Sequence, residues 1–201
     1  IVAPFGYVSG RGRSFFEREM CMRIISGSAR GAKLNVPSSD MPVRPTTDRV
    51  KEALFSAIQF DIHGRGLDLF AGTGQLGLEA LSRGAQSAVF CDVSRQACAV
   101  IQKNIEALRA QDRSRLLCCD AMDALARLAG ESFDVVFLDP PYRKGLVDKA
   151  LAGLVAADAP APGCVIVAET AQEEAFAVPE ALCIADSRKY GKSRLHFLAR
   201  A

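Results

Sequence analysis

One stretch constrains the fold of this chain more than any other: Leu67-Asp68-Leu69-Phe70-Ala71-Gly72-Thr73-Gly74-Gln75-Leu76-Gly77-Leu78-Glu79-Ala80-Leu81. It begins apolar and strand-like and passes through a glycine loop. It ends with Leu76, Ala80 and Leu81 at helical spacing, closed by Arg83-Gly84, a basic last turn and a glycine cap. Strand, tight turn and helix in that order present a ligand at the carboxyl edge of a doubly wound α/β sheet. Gly72, Gly74 and Gly77 satisfy G-x-G-x-x-G, the dinucleotide fingerprint. Asp68 argues against a dinucleotide, because a carboxylate near the strand end would oppose a pyrophosphate. It suits a ligand with a cationic, amino-acid-like end, and S-adenosylmethionine carries both an ammonium and a sulfonium.

The downstream pattern repeats the unit. Ala88-Val89-Phe90-Cys91 reads as a second strand ending in Asp92, and Ser94 caps a helix carrying Ala97, Ile101, Ile105 and Leu108. Asp92 follows Gly72 by 20 residues, the spacing at which an acidic residue meets ribose hydroxyls in such folds. Leu116-Leu117-Cys118-Cys119 is a third strand ending in Asp120-Ala121-Met122, and Phe133 to Leu138 is a fourth, apolar as a central parallel strand should be. A fifth covers Cys164 to Ala168. Leu182 to Ala185 and Leu195 to Leu198 read as a closing antiparallel pair around a basic hairpin, Arg188 to Arg194.

Upstream, Arg23 to Gly27 and Lys33 to Val36 read as two short strands of a basic hairpin, followed by an extended Pro42-Val43-Arg44-Pro45. Thr46 or Thr47 caps a helix running through Ile58. Residues 1–21 show no sustained period and are expected to be a mobile N-terminal extension, with Met22 as the natural start. The expected division is 1–21 extension, 22–41 basic β-hairpin extension and 42–201 catalytic domain.

At 201 residues the chain can bury one sheet between two helical layers, and no apolar run reaches the length of a membrane span. Seven cysteines, with no C-x-x-C and only His63 and His196 beside them, point away from zinc and toward a reducing, cytoplasmic setting. The net charge of +2 is unevenly placed: residues 1–51 carry +5, 52–187 carry −8 and 188–201 carry +5. Basic ends on an acidic sheet domain suggest that the ends meet a polyanion while the middle holds a cofactor. The candidate nucleic-acid contacts are Arg23, Arg30, Lys33, Arg44, Arg49 and Lys51 at one end and Arg188, Lys189, Lys192 and Arg194 at the other.

Asp139-Pro140-Pro141-Tyr142 closes the fourth strand. The lone pair of a nucleobase amine is delocalised into the ring, which makes it a poor nucleophile. Accepting both amine hydrogens, with the Asp139 carboxylate and the Pro140 carbonyl, would draw nitrogen toward tetrahedral geometry and free that pair. The prolines fix φ and remove backbone donors, so the loop offers acceptors only. Tyr142 can stack on a base swung out of its helix.

These motifs resemble the bacterial 16S rRNA guanine-N2 methyltransferases of the RsmD type, within the class I S-adenosylmethionine-dependent enzymes. The likeness runs from Met22 almost to the end. It rests on Met22 to Gly27, Arg44 to Phe55, Leu67 to Leu81 and Asp139 to Tyr142. It implies a Rossmann-like, mostly parallel seven-stranded sheet and S-adenosylmethionine as cofactor. Asp68, Phe70, Ala71, Gly72, Thr73 and Gly74 would surround its amino-acid end, Asp92 its ribose, and Asp120, Ala121 and Met122 its adenine. Asp139, Pro140 and Tyr142 would act on the acceptor amine. The implied partner is 16S rRNA or a small-subunit assembly particle, met by a monomer with no metal and no membrane. DNA or RNA adenine-N6 methyltransferases share the glycine loop and D-P-P-Y, but the DNA enzymes usually add a target-recognition domain for which this length leaves no room. Protein-glutamine methyltransferases typically have Asn where Asp139 stands. A dinucleotide-binding oxidoreductase would explain Gly72 to Gly77 but neither Asp68 nor Asp139, and a non-catalytic RNA-binding module would leave the acidic edge without a purpose.

Overall fold

The computed structural model describes residues 22–36 and 48–201. Arg44, the Pro42–Pro45 stretch, the Thr46/Thr47 cap and the 1–21 extension lie outside the described residues. Five helices, α1 (Asp48–Ala57), α2 (Gln75–Arg83), α3 (Arg95–Ala107), α4 (Ala121–Arg127) and α5 (Leu146–Ala156), accompany seven strands among them. The strands are β1 (Arg65–Asp68), β2 (Ser87–Asp92), β3 (Ser114–Cys118), β4 (Phe133–Leu138), β5 (Pro160–Ala171), β6 (Leu182–Tyr190) and β7 (Ser193–Arg200). They form one sheet in the order β3-β2-β1-β4-β5-β7-β6. β1 to β5 run parallel, and β7 is antiparallel to both β5 and β6. The expected mostly parallel, seven-stranded α/β sheet is therefore present. Its strand order reverses between β1 and β4, the switch point at which an open sheet leaves a crevice beyond its strand ends.

Alternation along each strand divides the core. Phe90, Val135 and Phe137 face a cluster with Leu54 and Phe55 of α1, Leu78 of α2 and Ile101 and Ile105 of α3. Val89, Cys91, Val136 and Leu138 face the opposite layer, with Leu125 of α4 and Leu151 and Leu154 of α5. A strand buried on both faces needs apolar residues at every position, which is why β4 reads Phe-Asp-Val-Val-Phe-Leu with only Asp134 polar.

The two basic hairpins are each held in their own way. The N-terminal hairpin is short: its one bridge, Arg23 to Lys33, is flanked by bonds from Ile24 N to Ala32 O at 2.9 Å and from Leu34 N to Met22 O at 2.8 Å. Its backbone is also tied to α2: the buried Glu79 carboxylate accepts from the Ile25 and Ser26 amides at 2.7 and 2.9 Å, and Ser28 N donates to Ser82 O at 2.8 Å. Met22, Ile24 and Leu34 are buried in the first core cluster, so this segment is part of the packed domain rather than an appendage. Gly27 makes the contact possible, with φ 84° and a Cβ position only 1.9 Å from Ser82 O.

The basic hairpin expected at Arg188 to Arg194 is present, with the antiparallel pair extending through most of it. Pairing of β6 with β7 continues to Tyr190 opposite Ser193, which leaves Gly191-Lys192 as a two-residue turn. Gly191, at φ 58°, supplies the first central position such turns favour. β6 is an edge strand exposed over most of its length, with a register shift between Ile184 and Asp186 and charged Asp186, Arg188 and Lys189 along it. These features blunt an otherwise open edge.

Candidate active site

A cavity of about 840 Å³ opens at the carboxyl edge, lined from β1, β2 and β5, from the segments that follow β3 and β4, and from the β6–β7 turn. The glycine loop forms one wall, and each glycine has a separate reason. Gly72, at φ 56°, borders the cavity, and a Cβ there would meet nothing within 4 Å. Gly74 adopts φ 78° as the N-cap of α2, and its amide donates to Ala71 O at 2.6 Å. At Gly77 a Cβ would fall 2.4 Å from the Phe90 ring, so this glycine lets α2 pack on β2. Phe70, Ala71 and Thr73 also line the cavity, whereas Gly74 lies behind the wall.

Asp68 is the chemically unusual member. It is 1% exposed, its Oδ2 accepts the Gly77 amide at 2.9 Å, and Oδ1 has no hydrogen-bond partner among the described residues. Burial pushes its carboxyl up to about 7; the Gly77 bond opposes the shift and the nearby Asp92 charge adds to it. A buried carboxylate facing a cavity with one oxygen unmet is costly unless a cation or donor arrives. This arrangement fits the amino-acid end of S-adenosylmethionine.

Asp92 does more than its spacing suggested. Its Oδ2 accepts Gly72 N at 2.9 Å and its Oδ1 accepts Ser94 N at 2.8 Å, so it clamps the glycine loop to the start of α3 while lining the cavity. Asp120 caps α4 through Met122 N at 2.8 Å, and Asp120 and Ala121 line the cavity. Met122 does not: its sulfur lies 3.4 Å from the Cβ position of Gly153, in contact with α5. Val93, a 71%-exposed apolar residue beside Asp92, borders the same region and suits the face of a planar ring.

The loop that follows β4 borders the same cavity. Asp139, Pro140, Pro141 and Tyr142 all line it, and the Tyr142 hydroxyl donates to Glu169 Oε1 at 2.5 Å. The next residue, Arg143, holds φ 58° and donates its amide to Glu174 at 2.6 Å, which fixes the far end of the loop. Asn104, fully buried on α3, supports the opposite wall by donating to Thr73 O at 2.9 Å while binding Asn35.

The candidate RNA contacts separate by position. Arg49, Lys189 and Lys192 are exposed and line the cavity mouth. Arg23, Arg30 and Lys33 are exposed on the N-terminal loop, where Arg23 pairs with Asp48 at 3.1 Å. Arg188 pairs with Asp186 at 2.7 Å and lies 5.3 Å from the Phe197 ring centre, and Arg194 is half-buried on β7. Lys51 fails as an RNA contact. It is 1% exposed, its Nζ donates to Arg23 O at 2.5 Å, and it lies 3.8 Å from Glu79. Burial lowers its affinity for a proton, and the Glu79 charge opposes that shift. Among the described residues no helix is long and apolar enough to cross a membrane, and no group of three or more His, Cys, Asp or Glu is placed to hold a metal ion.

A family model described as "Conserved hypothetical protein 95" matches residues 22–199. The ribosomal RNA small subunit methyltransferase D of Haemophilus influenzae is 37% identical over 79% of this chain and 83% of its own. The chain belongs to that methyltransferase family. The Escherichia coli relative of the same name is 43% identical over 65% of each chain. A solved Escherichia coli structure covers 90% of this chain and 98% of its own at 34% identity, with a TM-score of 0.80. Matches of this extent across the whole described region make the fold that of a class I methyltransferase.

Within this family member, Glu169, Val93 and Lys144 are among the cavity residues that escaped the sequence reading. Glu169 is the next residue after Ala168 of β5, and Ala168 pairs with Leu138 just before Asp139. Extending the strand-end rule to the fifth strand would have found it. Val93 and Lys144 have no sequence signal beyond adjacency to Asp92 and Tyr142.

Proposed function

We propose that the protein transfers a methyl group from S-adenosylmethionine to the exocyclic N2 amine of a guanine in 16S ribosomal RNA. One observation carries the reading. A single cavity is lined both by Asp68, with its unmet buried oxygen, and by the Asp139–Tyr142 acceptor loop. The names of the relatives support ribosomal RNA as the substrate.

S-adenosylmethionine supplies, when bound, an electrophilic methyl on a sulfonium. Asp68 would hold its ammonium, the Gly72 loop its amino-acid end, Asp92 its ribose, and Val93 with Asp120 and Ala121 its adenine. The Asp139 carboxylate and Pro140 carbonyl accept the two N2 hydrogens and turn the amine lone pair away from ring conjugation. Tyr142 stacks on the extruded base, and the attack is mainly a matter of positioning. With the cofactor bound, the N2 lone pair would take the methyl while the carbon–sulfur electrons stay on sulfur, and Asp139 would accept the surplus N2 proton. Arg49, Lys189 and Lys192 at the mouth hold phosphates without reading sequence.

The test is incubation of small-subunit RNA and assembling particles with methyl-labelled S-adenosylmethionine, followed by nucleoside mass spectrometry. N2-methylguanosine is the expected product. Label on adenine, cytosine or protein overturns the reading.

A further inference from the structure

Glu169 is buried in the acceptor half of the cavity, 8% exposed, with its Oε1 taken by the Tyr142 hydroxyl. No hydrogen bond among the described residues engages Oε2, and Glu169 forms no ion pair among them. Leu138 pairs with Ala168 in the parallel β4–β5 ladder, so Asp139 and Glu169 are the next positions side by side on neighbouring strands. A carboxylate oxygen accepts hydrogen bonds, and because Glu169 lines the cavity its second oxygen is offered to a donor on the ligand.

Guanine presents two adjacent kinds of donor on its Watson–Crick edge, the N2 amine and N1–H. Adenine presents an amine beside an N1 lone pair. An acceptor oxygen of Glu169 beside the position of Asp139 therefore matches guanine and repels adenine. We propose that Glu169 selects guanine by accepting N1–H on Oε2 while Asp139 holds the N2 amine, with the Tyr142 hydroxyl fixing the Glu169 rotamer. This inference rests on the methyltransferase reading above and adds the group that chooses the base. Selection of this kind is strong because the wrong base leaves a buried acceptor facing a lone pair.

The test uses 2-aminopurine, which keeps the 2-amine but replaces N1–H by a lone pair. Small-subunit RNA carrying either guanosine or 2-aminopurine riboside at the methylated position, naked and in reconstituted particles, is offered to the wild-type protein and to Glu169→Gln. The wild type should prefer guanosine in kcat/KM by roughly 10³-fold or more. In Glu169→Gln the amide can accept from Tyr142 and donate to the 2-aminopurine N1, so the preference should shrink to about tenfold or less, with unchanged cofactor affinity. Equal wild-type methylation of both RNAs overturns the inference even if the variant does not fold, and so does a variant that keeps the full preference. Absence of N2-methylguanosine from wild-type reactions on guanosine RNA would instead overturn the underlying reading and the inference with it.

Discussion

The Asp68 carboxylate accepts the Gly77 amide across the glycine loop at 2.9 Å, joining the end of β1 to the first turn of α2 and leaving its other oxygen without a hydrogen-bond partner among the described residues. Because burial raises this carboxyl to about 7, the ligand-free folded state binds a proton that the unfolded chain releases near pH 4. The group's contribution to stability is thus greatest below that pH, declines as pH rises through about 7, and is flat beyond. Asp68→Asn should remove this slope in denaturant titrations at pH 4 to 8, worth roughly 4 kcal/mol at most. Cofactor affinity of the wild type, measured by calorimetry, should rise between pH 5 and 7, and that rise should vanish in the variant.

Asp92 holds two backbone amides as well as lining the cavity, so its removal should have two effects. Asp92→Ala should weaken cofactor binding by about 1.5–3 kcal/mol and also lower the melting temperature of the ligand-free protein. Unchanged affinity in calorimetry would remove Asp92 from the binding site and leave it only as a clamp.

Lys51 and Lys189 separate a buried cation from a surface one. Lys51→Ala leaves Glu79 with Arg83 at 2.8 Å but without its second cation, and should cost about 3 kcal/mol of stability. The salt dependence of RNA binding should not change. Lys189→Ala should leave the melting temperature in place and lower the slope of log K against log salt by about one unit.

Tyr142 combines a ring facing the cavity with a hydroxyl bound to Glu169. Tyr142→Phe keeps the ring and should lower kcat mildly, by about 1 kcal/mol of transition-state stabilisation. Tyr142→Ala should be severe, with cofactor affinity intact in both variants. A Phe variant as damaged as the Ala variant would assign the hydroxyl a direct part in the chemistry.

Local pattern carried most of the architecture. Apolar runs at strand spacing, the glycine loop and helix caps such as Ser94 are encoded in neighbouring residues, because pleat, turn and capping geometry act over a few positions. The acidic strand ends were legible for the same reason: in a doubly wound sheet the residue after each strand faces the crevice. What the sequence could not supply was partnership across long separations. Lys51 looks like any helix-surface lysine until the Ile25–Ser26 backbone, 25 residues upstream, is seen packed against Glu79, 28 residues downstream. Lys51 is buried because that packing brings a carbonyl and a carboxylate to its ammonium. Met122 comes two residues after the cavity-lining Asp120 yet turns toward Gly153, where the absence of a side chain leaves room. Glu169 gains its place beside Asp139 only through the β4–β5 register, and its link to Tyr142 spans 27 residues. Burial and hydrogen-bond partnership are properties of the assembled layers, so the tertiary structure alone decided which charged residues meet solvent and which meet each other.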